Sequence, residues 1–186
     1  METFAVDGFP ETKLGLALFK NVKNASDLKS KHLNSVALLD AGSLLLSIFQ
    51  LRVAAAMSVE KEKAGKMKTR SLPSELVWSL SGSKNITGTL QTFCIQEVDD
   101  ADLLVAAIGM DEGELRLILA DVQGEPCGLE RLGQGLSGGH QQQQQRGGGA
   151  SKGRERLKKL YKITDDELSL SSLEDCIVMR MAVKDH

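Results

Sequence analysis

Leu14-Gly-Leu-Ala-Leu-Phe-Lys20 is a short apolar run bounded by polar residues. Its length and lack of helical spacing predict a buried strand, central in a small sheet. Downstream, Asn24-Ala-Ser-Asp27 offers several caps for a short polar helix reaching about His32, with Leu28 and Leu33 as its core contacts. His32 has no partner at metal-ligand spacing and reads as a surface helix residue. Residues 35–46 are ambiguous: V-A-L-L-D and S-L-L-L each fit a buried strand, and Asp40-Ala-Gly-Ser43 fits a turn between them. A strand near Leu44–Leu46 is favoured. Ser47-Ile-Phe-Gln50 then matches a capping box, so a long helix is expected from 48 to about 64. Its rows Ile48, Leu51, Ala55, Val59 and Phe49, Val53, Ala56 are both apolar, which predicts burial over much of its circumference until Glu60-Lys-Glu-Lys63.

Gly65 ends that helix and Pro73 opens the next, with Leu76, Val77 and Leu80 on one face and Trp78 beside them. Asn85 can cap a helix over Ile86–Phe93, ending near Cys94. Asp102–Gly109 is a second strand, and Leu115, Ile118, Leu119 and Val122 place a helix after it. Residues 133–153 change character, with five consecutive glutamines at 141–145 among glycines and almost nothing apolar, and read as a disordered insertion. Helical spacing resumes at Arg154–Lys162 through Leu157, Leu160 and Tyr161. Ser171-Ser-Leu-Glu174 is a capping box for a last helix with the stripe Leu173, Ile177, Met181. Strand next to helix, repeated, predicts one α/β (α+β) domain over 1–186. Its expected form is a small mixed β-sheet packed with several helices, the helix at 48–64 being central.

The chain carries 23 Lys+Arg against 25 Asp+Glu, which excludes coating nucleic acid or membrane by bulk charge and leaves local patches open. One Trp and one Tyr are too few for recognition by base stacking. Cysteines 94, 127 and 176 form neither a metal pair nor a disulfide framework, and Met1–Pro10 holds acids without an apolar signal core. An intracellular, reducing compartment is expected. The sequons at Asn24 and Asn85 read better as helix starts than as glycosylation sites. Leu44–Val59 is interrupted by Gln50 and Arg52 and is shorter than the roughly 20 residues of a membrane span.

No catalytic set stands out. Histidines 32, 140 and 186 lie apart, none beside a plausible nucleophile. Gly147-Gly-Gly-Ala-Ser-Lys-Gly153 lacks the order of a phosphate loop and follows polyglutamine rather than a strand. Asp99, Asp100 and Asp102 have no paired histidine or second acidic cluster, so a solvated turn is the better reading and neither metal nor cofactor is implied. Two basic patches remain. Lys61, Lys63, Lys66, Lys68 and Arg70 against Glu60 and Glu62 make residues 60–70 locally +3. An extended K-M-K-T-R would put Lys66, Lys68 and Arg70 on one side and Met67 and Thr69 on the other, suited to a phosphate backbone. The competing reading is a solvated turn whose cations favour the helix C-terminus. Residues 151–162 carry six cations against Glu155, a local +5, and also fit an amphipathic surface helix in which Lys158 and Lys162 share a face.

Five segments carry a resemblance. They are Leu18-Phe-Lys-Asn-Val-Lys-Asn-Ala25; Phe49-Gln50 with Ala54–Ala56; Gly65-Lys-Met-Lys-Thr-Arg-Ser-Leu72 with Glu75; Lys159-Leu-Tyr-Lys-Ile163; and Arg180-Met-Ala-Val-Lys-Asp185. Together they resemble the PRPK-binding protein (TPRKB) family over nearly the whole chain, segment 133–153 being the departure. The resemblance implies a non-catalytic subunit of the KEOPS (EKC) complex, which makes N6-threonylcarbamoyladenosine in tRNA. It further implies docking on that complex's small atypical protein kinase or ATPase, indirect contact with the threonylcarbamoyl transferase, help in holding the tRNA 3′ CCA end, and a cytoplasmic and nuclear location. Carried onto this chain, Lys66, Lys68, Thr69 and Arg70, with Lys61 and Lys63, become the RNA candidates through phosphate contact. For the partner, the terminal helix is expected to supply Val178, Met181 and Val183, more apolar positions than one stripe needs. Arg180 either pairs with an acid of the kinase or anchors the helix end internally. A purely protein-binding regulator of a kinase, without RNA contact, is the competing class.

Overall fold

The computed structural model describes residues 1–42, 44–96, 101–133 and 149–184, with 149–152 described by their backbone alone. In chain order it forms β1 (Glu2–Val6), β2 (Phe9–Val22), α1 (Ala25–His32), β3 (Ala37–Asp40), α2 (Ile48–Lys63), α3 (Leu72–Ser79) and α4 (Ile86–Phe93). Then follow β4 (Ala101–Ile108), α5 (Glu112–Ala120), β5 (Glu125–Cys127), α6 (Gly149–Tyr161), α7 (Asp165–Leu170) and α8 (Leu173–Ala182). The fold is α+β, as expected. The sheet is open, in the order β1-β2-β4-β3, with β5 also on β2. Every pairing among the described strands is antiparallel, where a mixed sheet was expected.

The Leu14–Lys20 run is the middle of β2, which is bonded along one side to β4 and along the other to β1 and β5. Its alternate side chains feed two cores. Leu14, Leu16 and Leu18 pack with Leu39, Leu104 and the helices α2, α3, α6 and α8; Ala17, Phe19 and Val22 pack with Leu38, Val105 and the helices α1 and α5. Burial of both faces explains why this antiparallel strand reads as a continuous apolar run rather than as an alternating one.

Several local expectations change. The strand of residues 35–46 is Ala37–Asp40, not Leu44–Leu46. The Asp40 carboxylate accepts from the Gly42 amide at 2.8 Å and turns the chain off the sheet, so Leu44 and Leu45 are buried as packing residues ahead of α2 without pairing. Leu33 is exposed; Leu28 alone of the expected pair reaches the core of α1. His32 is a partly exposed residue of α1, as expected, and its Nε2, 2.8 Å from Asp121, ties α1 to the end of α5. Of the two rows on α2, Leu51, Ala55 and Val59 are buried, whereas Phe49 is 48% exposed and Val53 and Ala56 are half-buried. Ser47 caps α2 by accepting from the Gln50 amide, while Gln50 Oε1 takes the Leu46 amide at 3.0 Å, one residue before the cap.

The capping box of the last helix is shifted by one. Ser171 closes α7 by donating its amide to Glu167, and Ser172 caps α8 by accepting from the Asp175 amide. Glu174 instead accepts from the Ser47 hydroxyl at the start of α2. The expected insertion at 133–153 falls largely outside the described residues, but Gly149–Gly153 belong to α6, so the helix begins earlier than the expected Arg154. Asp99 and Asp100 also lie outside the described residues, and Asp102 is in β4.

Candidate nucleic-acid interface

The basic turn is built from both ends. At the end of α2, Gly65 sits at φ +65°, which lets its amide reach Glu62 at 3.0 Å and the Lys66 amide reach Lys61 at 2.8 Å. This is the paired bonding of a Schellman ending, and it aims the chain away from the helix axis. At the other end Ser71 caps α3, accepting from the Ser74 amide, and Pro73 in the first turn gives up no needed donor.

Between these caps the turn wraps a carboxylate. Glu75, in the first turn of α3, is completely buried. Its Oε2 accepts from the amides of Lys68 and Thr69, both at 2.9 Å, and from the Thr69 hydroxyl at 2.8 Å. The backbone and Thr69 therefore face inward, Met67 is half-buried, and Lys66, Lys68 and Arg70 are exposed. The side-to-side pattern is the one an extended segment would give, although no strand forms there.

The other two cations of residues 60–70 contact aromatic rings, although Lys63 is exposed like the cations of the turn. Lys61 points inward, its Nζ 3.9 Å from Glu75 Oε1 and 4.4 Å from the centre of the Trp78 ring. Lys63 lays its Nζ 4.5 Å over the ring of Phe9. A third ammonium joins from the end of the chain. Lys184 is only 4% exposed, stands 3.5 Å from the centre of the same indole and donates to the Trp78 carbonyl. Sequence reasoning passed over both Glu75 and Lys184 as site residues. Every residue of α3 from Glu75 to Ser79 is buried, so helical phase does not mark Glu75, and the local sign of burial was the neighbouring run Leu76-Val77-Trp78.

The +5 stretch is partly neutralised within the fold, because Lys158 lies 2.6 Å from Asp165 and 3.3 Å from Glu155. The hydrogen bond to Asp165, foremost, raises the pKa of Lys158 above its ordinary value. On α8, Met181 is fully buried, so it is a core residue. Val178 is half-buried, and Met179 and Val183 are large apolar side chains left exposed, at 61% and 52%. Arg180 anchors internally: it pairs with Glu167 at 2.5 Å and donates to the Tyr161 carbonyl at 3.2 Å. On the far side of α3 a cavity of about 220 Å³ is lined by Val36, Val77, Leu90 and Cys94 and edged by Lys29 and Gln91. Burial pushes the Cys94 thiol pKa up, with Lys29 opposing.

The model of the family "Kinase binding protein CGI-121" matches residues 19–185. The chain belongs to that family. Among curated relatives, this CGI-121 family member is 34% identical to the "EKC/KEOPS complex subunit TPRKB" of Danio rerio over 181 residues, covering 95% of this chain and 94% of the relative. It is 32% identical to the "EKC/KEOPS complex subunit CGI121" of Yarrowia lipolytica over 111 residues, 56% of this chain and 64% of the relative. It is 28% identical to the subunit of the same name in Candida glabrata over 131 residues, 69% and 74% of the two chains. The family match takes in the basic turn, Glu75 and α8 alike.

Proposed function

We propose that this protein is a non-catalytic subunit of an EKC/KEOPS complex that supports N6-threonylcarbamoyladenosine modification of tRNA. In this reading it docks on the small atypical protein kinase or ATPase of that complex, meets the threonylcarbamoyl transferase indirectly, and helps recruit tRNA at its 3′ CCA end. The observation that carries the RNA part is the turn at 66–70, with Lys66, Lys68 and Arg70 exposed and its backbone tied down beneath them. Cations held at fixed spacing contact phosphates without reading sequence. Trp78 and Tyr161 are both buried and are not available to stack on a base. Docking on the kinase is assigned to α8, where Met179 and Val183 are exposed with Val178 at their edge. The working compartments are the cytoplasm and the nucleus, which a fluorescent fusion would test.

The decisive experiment titrates labelled tRNA, intact or lacking its 3′ end, against the wild-type chain and the triple variant Lys66→Ala, Lys68→Ala, Arg70→Ala. Three lost phosphate contacts to a single-stranded end should lower the slope of log affinity against log salt by about 2. Kinase capture should be unchanged. Equal tRNA affinity in a folded triple variant would leave a purely protein-binding regulator as the better reading.

A further inference from the structure

A buried carboxylate is costly to desolvate, and an apolar residue of similar volume at the same place is often neutral or stabilising. Glu75 nevertheless sits with no exposed area in the first turn of α3. Its Oε2 is fully engaged by the turn at 66–70, while its Oε1 accepts no hydrogen bond among the described residues and has Lys61 Nζ 3.9 Å away. The bonding is thus concentrated on the backbone between the exposed cations. Lys68 and Thr69 each spend their amide on this one oxygen.

Left to itself, a turn carrying three cations in five residues would spread, since like charges repel and exposed backbone is satisfied equally well by water. With its amides fixed on Glu75 it holds one conformer, with Lys66, Lys68 and Arg70 outward and Met67 and Thr69 inward. Ordering is then complete before an anion arrives, which removes part of the entropy cost of binding. Lys61 and Lys184 both pack on Trp78, three residues along α3, so the carboxylate stands on a rigid base.

We propose that Glu75 is a positioning residue for the phosphate-contacting turn: it touches no RNA, and it acts by holding the Lys68 and Thr69 amides. The proposal rests on the reading of residues 66–70 as the RNA-contacting element. Its test uses the full chain with Glu75→Leu, Glu75→Gln and Glu75→Asp, and two readouts: hydrogen exchange at the Lys68 and Thr69 amides, and tRNA affinity across a salt series. Glu75→Leu should lose protection at both amides while α2 and α3 keep theirs. It should also lower tRNA affinity by about tenfold, with the salt slope falling toward that of the triple alanine variant. Glu75→Gln retains an acceptor oxygen and should restore both readouts to within about twofold of wild type. If Glu75→Leu does not fold, Glu75→Asp, which keeps the charge and withdraws the acceptor by one methylene, should show the same losses. Lost protection with unchanged tRNA affinity and slope, in the presence of a weakened triple variant, would overturn the positioning role and leave the RNA reading standing. Unchanged tRNA binding in both the Glu75 variants and the triple variant would overturn the RNA reading, and the proposal with it, whatever the amides show.

Discussion

Tyr161→Phe removes one buried oxygen and nothing else. The ring is 2% exposed; its hydroxyl donates to the Leu80 carbonyl and accepts from Gln50 Nε2 at 3.0 Å. Gln50, itself fully buried, passes the connection on by accepting from the Leu46 amide. The Phe variant keeps the ring and its packing but strands a carbonyl and an amide N–H in the core. Each such group costs about 1–3 kcal/mol, and partial relaxation brings the pair to about 2–4 kcal/mol. At about 3 kcal/mol the melting temperature should fall by roughly 6–12 °C in a domain of this size. Thermal and urea unfolding followed by circular dichroism measure it. A second signature comes from pH. Burial raises the Tyr161 pKa above the ordinary phenol value, so the folded state favours the neutral form. Its contribution is complete below the unfolded phenol pKa of about 10 and is lost as pH rises toward the folded value. Wild type should therefore lose its advantage over Tyr161→Phe as pH climbs past about 10. A Phe variant melting within about 2 °C of wild type at neutral pH would refute the buried network.

Three further outcomes follow from the same geometry. Gly65→Ala, at φ +65° with open space around a new Cβ, should cost about 1 kcal/mol by urea unfolding; Gly133→Ala, at φ +74° with that Cβ driven into the Leu46 carbonyl oxygen, should cost about 3 kcal/mol or more. Met181→Ala should lose about 3 kcal/mol of stability, whereas Met179→Ala and Val183→Ala should stay within about 0.5 kcal/mol and weaken capture of the kinase subunit instead. The His32 hydrogen bond holds the Asp121 carboxyl below its ordinary range, and the Thr164 amide, then Arg180, does the same for Glu167. Depressed values stabilise above the unfolded carboxylate pKa of about 4 and lose that contribution as pH falls through the folded value, so His32→Ala and Arg180→Ala should each flatten acid unfolding.

How far the fold was legible depends on whether a local signal had one meaning. Leu14–Lys20 did, because an apolar run of that length bounded by polar residues has few uses besides a strand covered on both faces. Leu44–Leu46 did not: apolar content marks burial, and pairing is decided by where the Asp40–Gly42 turn sends the chain. β1 has no counterpart in the reading of Met1–Pro10, although Asp7-Gly8 between Val6 and Phe9 is a two-residue hairpin signal. The box Thr164-x-x-Glu167 that opens α7 went unread as well. Finding it would also have settled which serine caps α8, since Ser171 is used up in closing α7.

At the candidate interface, counting charge and placing charge are different operations. The +3 of residues 60–70 includes Lys61, which faces Glu75 and Trp78, and omits Glu75, five residues beyond the last cation. The +5 of residues 151–162 includes Lys158, held by acids on both sides of it in sequence. What solvent meets is narrower than either sum: at the turn it is Lys66, Lys68 and Arg70, in an order that a strand would produce and that a buried carboxylate produces here. That cause is not legible in one dimension. A glutamate in the first turn of a helix is the ordinary complement to the helix dipole and is normally solvated. What distinguishes it is that α3 is covered all round from Glu75 to Ser79, a burial set by tertiary partners such as α2 and Lys184 and not by the spacing of the helix's own residues.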